Sequence, residues 1–386
     1  MSSIQEVYPI ASQILKKYYL CNSCLGRLFA KKLRVSSNRI LGKKLKQNFP
    51  KSSKKCYICK NLLDNLESYL ELMLESSLNY GFSSFVVGAI IQPSIIDRDD
   101  FLRSKYQLRG IDGVKTVITR EISKQFAKKT KKKLDFLDPE ITFTLNLKEK
   151  TCLLRSKQIS FQGRYNKIKR GFSQKQKPCQ NCAGKGCRVC NFHGFTENES
   201  VEAKISEFLF RKFGGTIAKF TWVGGDDKSS LVLGMGRPFF VRIQNPQRRK
   251  AKLPKKVKLE SLVINNCKII SDIPKKPLSF ISIIRIKIIT ENSIHSSHLK
   301  NLKKSLENPV IIYENSGRRL EKKIFDVRYK IISKNKFTLT ISAEGGLPIK
   351  RFVTGDDVVP GVSQTIGNNC KCETFDFLEI KMITNN

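Results

Sequence analysis

Two adjacent aspartates, Asp226 and Asp227, follow a pair of glycines in the segment TWVGGDDKSSLVLGMGRPFF (221–240). Asp and Gly are common in turns for local reasons, so a simple hairpin turn explains this pattern as well as a functional site does. A functional carboxylate would need a nearby cation, and Arg237 is the candidate if the flanking strands pair. The chain contains only three histidines, so an enzyme of this sequence is expected to use a carboxylate as its central group.

Eight of the twelve cysteines form CxxC pairs, which in a reducing compartment indicate metal rather than disulfides. The first two pairs can place four thiolates around one zinc ion, and a site with no open position would be structural. These ligands are Cys21, Cys24, Cys56 and Cys59. The segment CQNCAGKGCRVC carries a second, tighter cluster of Cys179, Cys182, Cys187 and Cys190. A second zinc is favoured there over an iron–sulfur cluster, and whether this cluster holds metal stays open.

The chain of 386 residues has a net charge of +39, whereas a soluble domain typically needs a magnitude of only about 2–8. A polyanion is the simplest partner for this charge, with nucleic acid ahead of an anionic membrane surface. Basic runs lie at 127–134, 163–170 and 247–258, and nearby aromatics such as Tyr165 and Phe172 favour contact with a phosphate backbone. No stretch approaches the ~20 apolar residues of a membrane span, and the N-terminus lacks a signal peptide's apolar block. We therefore expect a cytoplasmic protein.

Hydrophobic periodicity predicts the elements that would position these residues. An amphipathic helix is expected just after Cys59, a buried strand in SSFVVGAII, a helix in GVKTVITREISKQFAKKT and a half-buried strand in EITFTLNL. From about Glu199 a new domain is expected to open with a helix over Val201 to Phe213, followed by many strands. Helices mixed with largely antiparallel strands predict the α+β class.

The sequence resembles the archaeal tRNA pseudouridine-54/55 synthase family over nearly its whole length. The similar stretches are LCNSCLGRLFAKK, CYICKNLL, TWVGGDDKSSLVLGMGRPFFVRIQNPQRRK and GGLPIKRFVTGDDVVPGVSQTIGNNCKCETFDFLEI. A further segment, from SSFVVGAII to ISFQGRYNKIKRG, resembles a THUMP RNA-binding domain. Several motifs recur in order, which makes this resemblance specific.

By this resemblance Asp227 stands at the position of the family's nucleophile. Related synthases often have Gly-Arg-x-Asp there, and Gly225 replaces that arginine, so the cation would come from elsewhere, with Arg237 as the first choice. Lys350 or Arg351 can also face the carboxylate. Asp227→Ala is expected to abolish product formation, and Asp226→Ala is expected to have a much milder effect.

The resemblance also implies a pocket for the target base. Ile349 and Lys350 match a segment that lines this pocket, and Leu378 falls in a further wall segment. The family's uracil-stacking tyrosine aligns with Phe280, which keeps the ring and loses the hydroxyl. A second family tyrosine is replaced by Pro348. Stacking survives these changes, whereas a hydrogen bond or proton transfer from the phenol does not.

The resemblance implies four regions: an N-terminal helical segment with the four-cysteine zinc site (1–75), a THUMP-like RNA-binding domain (76–172), a cysteine-rich connector (173–198) and a mostly antiparallel, mixed-sheet pseudouridine synthase domain (199–386). The implied activity is isomerisation of tRNA T-arm uridines 54 and 55. Apart from the structural zinc that the cysteine spacing predicts, no organic cofactor, membrane or obligate protein partner is expected. The alternative is a non-catalytic, zinc-stabilised tRNA-binding or RNA-folding protein. A thiouridylase or methyltransferase would need a nucleotide-binding or S-adenosylmethionine motif, and none is found.

Overall fold

A computed structural model describes residues 4–50, 53–197, 199–275 and 278–383. The chain forms two compact units, one that ends at Lys157 and one that begins at Gln158. This division precedes the expected end of the THUMP-like domain at residue 172, because the strand Ile159–Lys167 belongs to the sheet of the second unit. None of the helices in the described part of the chain combines the length and the apolar content that a bilayer span requires.

In the first unit, helices surround a four-stranded sheet. The helices are α1 (Ile4–Lys17), α2 (Asn22–Ala30), α3 (Asn38–Leu45), α4 (Glu67–Ser77), α5 (Pro93–Lys105) and α6 (Val114–Thr130). The strands are β1 (Ser84–Ile90), β2 (Lys133–Leu134), β3 (Ile141–Asn146) and β4 (Thr151–Ser156). The strand order is β2-β1-β3-β4, with β1 parallel to both neighbours and β4 antiparallel to β3.

Hydrophobic periodicity accounts for the packing of α6 and β3. The stripe of α6 is buried along its whole length, at Val114, Ile118, Ile122 and Phe126. In β3 the alternate residues Ile141, Phe143 and Leu145 are buried, because successive side chains of a strand point to opposite faces. The ring of Phe126 meets that of Phe85 from β1 edge-on, with centroids 4.8 Å apart. The helix therefore packs on the buried face of the sheet.

The second unit is built around a mixed sheet. Its strands are β5 (Ile159–Lys167), β6 (Ala218–Trp222), β7 (Leu231–Ile243), β8 (Lys256–Lys258), β9 (Leu262–Ile270), β10 (Phe280–Thr290), β11 (Val310–Tyr313), β12 (Arg319–Lys322), β13 (Ile324–Ser333), β14 (Lys336–Glu344), β15 (Val358–Val359) and β16 (Cys370–Met382). The main sheet has the order β13-β14-β10-β16-β7-β5-β9-β8, and β6 also pairs with β7. Only the β16–β7 pair of this sheet is parallel among the described residues. The other three strands form a separate sheet of order β12-β11-β15. The predicted α+β class is confirmed.

The helices described in this unit are α7 (Val201–Phe213), α8 (Ser296–Ser305), α9 (Ile349–Thr354) and α10 (Val362–Ile366). The bounds of α7 agree with the prediction. Its N-cap is Ser200, whose Oγ accepts a hydrogen bond from the Ala203 N–H at 3.0 Å. Phe213 at its end packs edge-on against Phe161 of β5, with centroids 4.8 Å apart. This contact joins the helix to the main core of the unit.

Candidate active site

The loop between β6 and β7 carries both aspartates and is closed by two serines. The Ser230 hydroxyl accepts from the Asp227 N–H at 3.1 Å and donates to the Asp227 carbonyl at 2.9 Å. The Asp227 carboxylate accepts from the N–H and the hydroxyl of Ser229 at 2.8 and 2.6 Å, both through Oδ1. One carboxylate oxygen is therefore bonded within the loop, and Oδ2 faces away from it.

Lys350 supplies the cation at this second oxygen. It is the second residue of α9, and its Nζ lies 3.0 Å from Oδ2 of Asp227. Partial burial raises the pKa of Asp227, but the Ser229 hydroxyl and N–H and the Lys350 ammonium lower it to about 2. The carboxylate is therefore anionic at neutral pH, and 37% of its side-chain surface stays exposed.

Arg237, the first choice from the sequence, is not the ion partner of Asp227. Its side chain is fully buried, Nη1 donates to the Val223 carbonyl at 2.8 Å, and the guanidinium lies 4.2 Å from the ring centroid of Phe377. No carboxylate of the described residues forms an ion pair with it. Arg237 pairs with Tyr165 of β5 in the sheet register, and its bond to the Val223 carbonyl holds the start of the loop. Arg351 bonds instead to the Tyr313 carbonyl and to Asp357.

Asp226 lies in a buried polar network. One carboxylate oxygen is 2.8 Å from Nζ of Lys167, and both side chains are fully buried. The other accepts from the Tyr165 hydroxyl at 2.7 Å, and Gln174 donates to that hydroxyl at 2.8 Å. Lys167 also donates to the Asp227 carbonyl at 2.5 Å. This network fixes the backbone of the nucleophile candidate from below.

The buried pair with Lys167 argues for a large effect of Asp226→Ala on the stability of the fold. The substitution would leave the Lys167 ammonium buried without its counter-charge, which is among the more costly changes a fold can undergo. Burial and the Asp226 carboxylate hold the pKa of Tyr165 well above its usual range, so this phenol remains a hydrogen-bond donor.

The sequence also misassigned part of the basic run 163–170. Lys167 and Tyr165 were expected at a phosphate-binding surface, but both are fully buried. Arg164 donates to backbone carbonyls of Met235 and Gly236, so it too bonds within the fold. The sequence did contain a signal for this burial. Tyr165 and Lys167 are two residues apart, which places both side chains on one face of a strand.

Arg170, at the end of that run, ties the aspartate loop to β16. Its guanidinium pairs with Asp376 at 2.7 Å and donates to the Ser229 carbonyl. Asp376 in turn accepts from the Leu231 N–H at 3.0 Å. Neither residue was singled out from the sequence, because a bond between positions so far apart depends on the sheet topology.

Phe280 packs against the start of the aspartate loop. The half-buried ring lies so close to two glycines that a Cβ at Gly224 would be 2.4 Å from it and a Cβ at Gly345 would be 2.3 Å from it. Gly224 also has φ +74°, a conformation that favours glycine. Because neither glycine has a side chain, the two leave the space that the Phe280 ring occupies. Gly224 is two residues before Asp226, so the ring lies at the start of the aspartate loop.

The remaining predicted pocket residues lie on α9 and β16. Pro348 is the N-cap of α9, and Ile349, its first residue, is buried. Leu378 is the extra residue at a β-bulge between β16 and β10, and its carbonyl approaches Gly234 of β7 closely. Pro348 and Ile349 directly precede Lys350 in the sequence, at the start of α9. For Leu378 the structure establishes a backbone contact with β7.

Both cysteine clusters have the geometry of a tetrahedral zinc site. In each cluster the four Sγ atoms lie within 4.8 Å of one another. A Zn–S bond of about 2.3 Å implies Sγ–Sγ edges of about 3.8 Å. The distance between Cys21 and Cys59 is 3.6 Å, and those from Cys190 to Cys182 and to Cys187 are both 3.8 Å.

Backbone donors support the thiolate form in both clusters. The Cys24 N–H points to the Cys21 sulfur at 3.3 Å. In the second cluster, Gly186 N–H points to Cys182 at 3.2 Å, and Cys187 N–H points to Cys190 at 3.2 Å. Such donors stabilise a sulfur that carries negative charge. Four sulfur ligands leave no open position for a substrate, so zinc at either cluster would hold chain segments together.

Comparisons with known proteins agree with this arrangement. The family described as "Pus10, C-terminal" matches residues 161–381, and the family described as "Pus10 THUMP domain, archaeal" matches residues 69–146. A Nitrosopumilus maritimus (strain SCM1) protein named tRNA pseudouridine synthase Pus10 is 57% identical over 382 residues, which cover 99% of this chain and 100% of that protein. A Cenarchaeum symbiosum (strain A) protein of the same name is 34% identical and covers 94% of this chain and 90% of its own length.

A THUMP domain followed by a matching C-terminal domain places the chain among the THUMP-containing pseudouridine synthases. The two family matches and the full-length relatives specify which one. The chain belongs to the archaeal Pus10 family.

Proposed function

We propose that this chain isomerises uridines 54 and 55 of the tRNA T-arm to pseudouridine, with Asp227 as the nucleophile. The observation that carries the proposal is the pair of Asp227 and Lys350, in which an anionic, partly exposed carboxylate is held at 3.0 Å from an ammonium. The names of the relatives supply the substrate class, and the family resemblance supplies the T-arm positions.

The chemistry asks for one ionised carboxylate. The N1–C1′ glycosidic bond of uridine breaks, the base turns, and a C1′–C5 bond forms. C5 loses a proton and N1 gains one, so the reaction consumes no co-reactant. Positive charge that develops at C1′ resembles that in glycoside hydrolysis, where a carboxylate traps or stabilises the centre. A pKa of about 2 keeps Asp227 in the attacking form throughout the physiological range.

The surrounding residues orient this carboxylate. Ser229 holds Oδ1, Lys350 holds Oδ2, and Lys167 holds the Asp227 carbonyl from the buried side. Such preorganisation matters because a donor set that is already in place needs no rearrangement during the reaction. When Lys350 contacts the substrate or the charge on the departing base, the Ser229 hydrogen bonds still hold the Asp227 carboxylate.

Phe280 would receive the extruded base. A uridine within a folded tRNA arm must leave its stack, at a cost of a few kcal/mol, and a planar ring at the site offsets part of that cost. Phe280 offers a ring but no hydroxyl, so the proposed reaction uses its stacking surface alone. The strongly basic chain and the THUMP domain would bind the rest of the tRNA.

The test is a carbodiimide-based pseudouridine map of unmodified tRNA transcripts, made with wild-type protein and with Asp227→Ala. We expect T-arm signals with the wild type and none with the variant. Equal tRNA affinity of the two proteins would show that the loss is chemical. Asp227→Asn is the matched control, because it keeps the shape and removes the charge, and it should be equally inactive. Turnover by either variant would exclude Asp227 as the nucleophile.

A further inference from the structure

The second unit contains a cavity that the proposed isomerisation does not use. It has a volume of about 330 Å³ and lies between the loop after the second cysteine cluster and the end of α7. Its lining includes His193, Phe195, Phe210, Glu207, Arg211 and Gln247. The residues that line it do not include Asp227, Lys350 or Phe280.

Planar rings form the apolar part of the lining. The His193 ring stacks on Phe210 with centroids 4.3 Å apart and planes inclined by 13°, and Phe195 lies 6.3 Å from it at 30°. A hydrogen bond of 3.0 Å between His193 Nδ1 and the Thr216 carbonyl fixes the imidazole. Aromatic surfaces of this kind are what unstacked nucleobases bind in single-stranded RNA.

The polar part of the lining can read the edge of a base. The Gln247 amide offers both donors and an acceptor. Glu207 and Arg211, which form an ion pair at 3.8 Å, add acceptors and donors. The backbone N–H groups of Gln247 and Arg248 both donate to the Phe213 carbonyl, at 2.9 and 2.8 Å, so the Gln247 backbone is fixed at the end of α7. Its side chain is exposed at the cavity mouth.

Two glycines let the chain form this wall. Gly214 and Gly215 have φ values of +68° and +107°. A Cβ at Gly214 would lie 2.8 Å from Gln247 Oε1, and a Cβ at Gly215 would lie 2.4 Å from a methyl carbon of Ile243. Gln247 can therefore lie against the turn after α7 because that turn has no side chains.

Charge around the cavity matches a phosphate-linked ligand. Arg211, in the last turn of α7, lines the cavity, and Arg248 donates to the Arg211 carbonyl at 2.7 Å. The basic run 247–258 begins with Gln247 itself. A nucleotide could place its base against the rings while its phosphates stay among these cations.

We propose that this cavity binds one unstacked nucleotide of the RNA substrate, outside the isomerisation site. The proposal rests on the RNA substrate of the proposed function. It adds a second contact point for RNA on the unit that carries Asp227.

The test compares Arg211→Ala/Gln247→Ala with Lys212→Ala. Lys212 is the matched control, because it adjoins Arg211, is exposed and carries the same charge without lining the cavity. We expect the double variant to weaken the affinity for a tRNA transcript about tenfold, since base stacking and its polar contacts are lost, and Lys212→Ala to weaken it less than about twofold. The kcat should stay close to that of the wild type. Equal affinities of the two variants would overturn the proposal.

A second measurement does not depend on any variant. Ultraviolet crosslinking of wild-type protein to the transcript, followed by peptide mass spectrometry, should find a nucleotide on the peptide that carries His193 and Phe195. Its absence from that peptide would count against the site.

Titration with the four free nucleoside monophosphates distinguishes binding of a nucleotide within RNA from binding of a free nucleotide. Tight binding of a monophosphate, with unchanged tRNA affinity of the double variant, would overturn the assignment to RNA. Product formation by the wild type is scored separately. If the wild type makes no pseudouridine but the double variant still binds tRNA more weakly than the wild type, the proposed function is refuted and the nucleotide-binding cavity is retained.

Discussion

At the scale of single residues, burial separates Asp226 from Asp227. The carboxylate of Asp226 and the ammonium of Lys167 are fully buried at 2.8 Å, whereas Asp227 is 37% exposed. Two neighbouring residues of the same type therefore have different tasks. One anchors the loop in the interior, and the other remains available to a substrate.

Asp226→Ala should lower the free energy of unfolding by about 3–5 kcal/mol, because it leaves a buried ammonium without its partner. Urea unfolding followed by circular dichroism measures this. Lys167→Met in the same chain should recover most of the loss, since it removes the orphaned charge. The control is Glu373→Ala, which breaks the exposed pair with Lys336 and should cost less than about 1 kcal/mol. A loss of similar size in the control would refute the distinction.

Ser229→Ala should shift the acid limb of the kcat/KM profile to higher pH. The hydroxyl and N–H of Ser229 help to hold the pKa of Asp227 near 2, against an ordinary value of 3.8. Because the folded-state pKa is depressed, the attacking anion is present above about 2 and is lost as the pH falls through that value. Loss of one donor raises the pKa, so the variant loses activity at a higher pH than the wild type.

Rates of pseudouridine formation between about pH 2 and about pH 7 test this expectation. Lys350→Met should move the limb in the same direction, because it also removes a group that favours the anion. An acid limb that coincides in wild type and Ser229→Ala would show that Ser229 does not control the ionisation.

At the scale of elements, local periodicity predicts what local contacts decide. The bounds of α7, the α6 stripe and the alternation of β3 all follow from spacing within a single element. The helix expected just after Cys59 is different: the structure has a short 3-10 helix at Leu62–Asp64 and begins α4 only at Glu67. Asn61 explains the delay. Its backbone has φ +68°, and its side chain accepts from the Cys56 N–H at 2.8 Å, so it closes the cysteine loop instead of starting a helix.

The candidate site depends on contacts that no local pattern contains. Lys350 meets Asp227 across 123 positions of sequence, and only the resemblance suggested that they face each other. The choice of Arg237 assumed that pairing strands would bring it to the carboxylate. Pairing does occur near it, but the register directs its side chain into the core beneath the loop. Burial on a central strand also decided the role of Lys167, which the charge pattern alone assigned to the surface.

Gly345→Ala should impair catalysis through the position of Phe280. The new Cβ would lie 2.3 Å from two ring carbons, so the ring must leave its present position beside the aspartate loop. Misplacement of a positioning group by about 1 Å can reduce the rate on the order of a hundredfold. The matched control is Gly225→Ala, where the nearest atom is 3.8 Å away. Steady-state kinetics should show a large fall in kcat for Gly345→Ala and little change for Gly225→Ala. Equal effects would mean that ring placement is not limiting.

At the scale of the whole molecule, each compact unit has its own cysteine cluster. The ligands Cys21 to Cys59 lie in the unit that ends at Lys157, and the ligands Cys179 to Cys190 lie in the unit that begins at Gln158. The first cluster joins sequence segments that are far apart, whereas the second closes a short loop. Metal at the first is therefore expected to stabilise a larger part of the fold than metal at the second.

Elemental analysis of the purified protein should find about two zinc ions per chain, because both clusters provide four sulfurs at tetrahedral spacing. Cys56→Ser and Cys187→Ser should each remove one ion. Hydrogen exchange read peptide by peptide should then show lost protection up to Lys157 for Cys56→Ser, and lost protection around 179–194 for Cys187→Ser. The unaffected unit of each variant is its internal control.

A single ion per wild-type chain would show that only one cluster binds metal. Iron together with visible absorbance would show that a cluster holds an iron–sulfur centre instead of zinc. Loss of protection in both units for either variant would show that the two clusters do not stabilise their units independently.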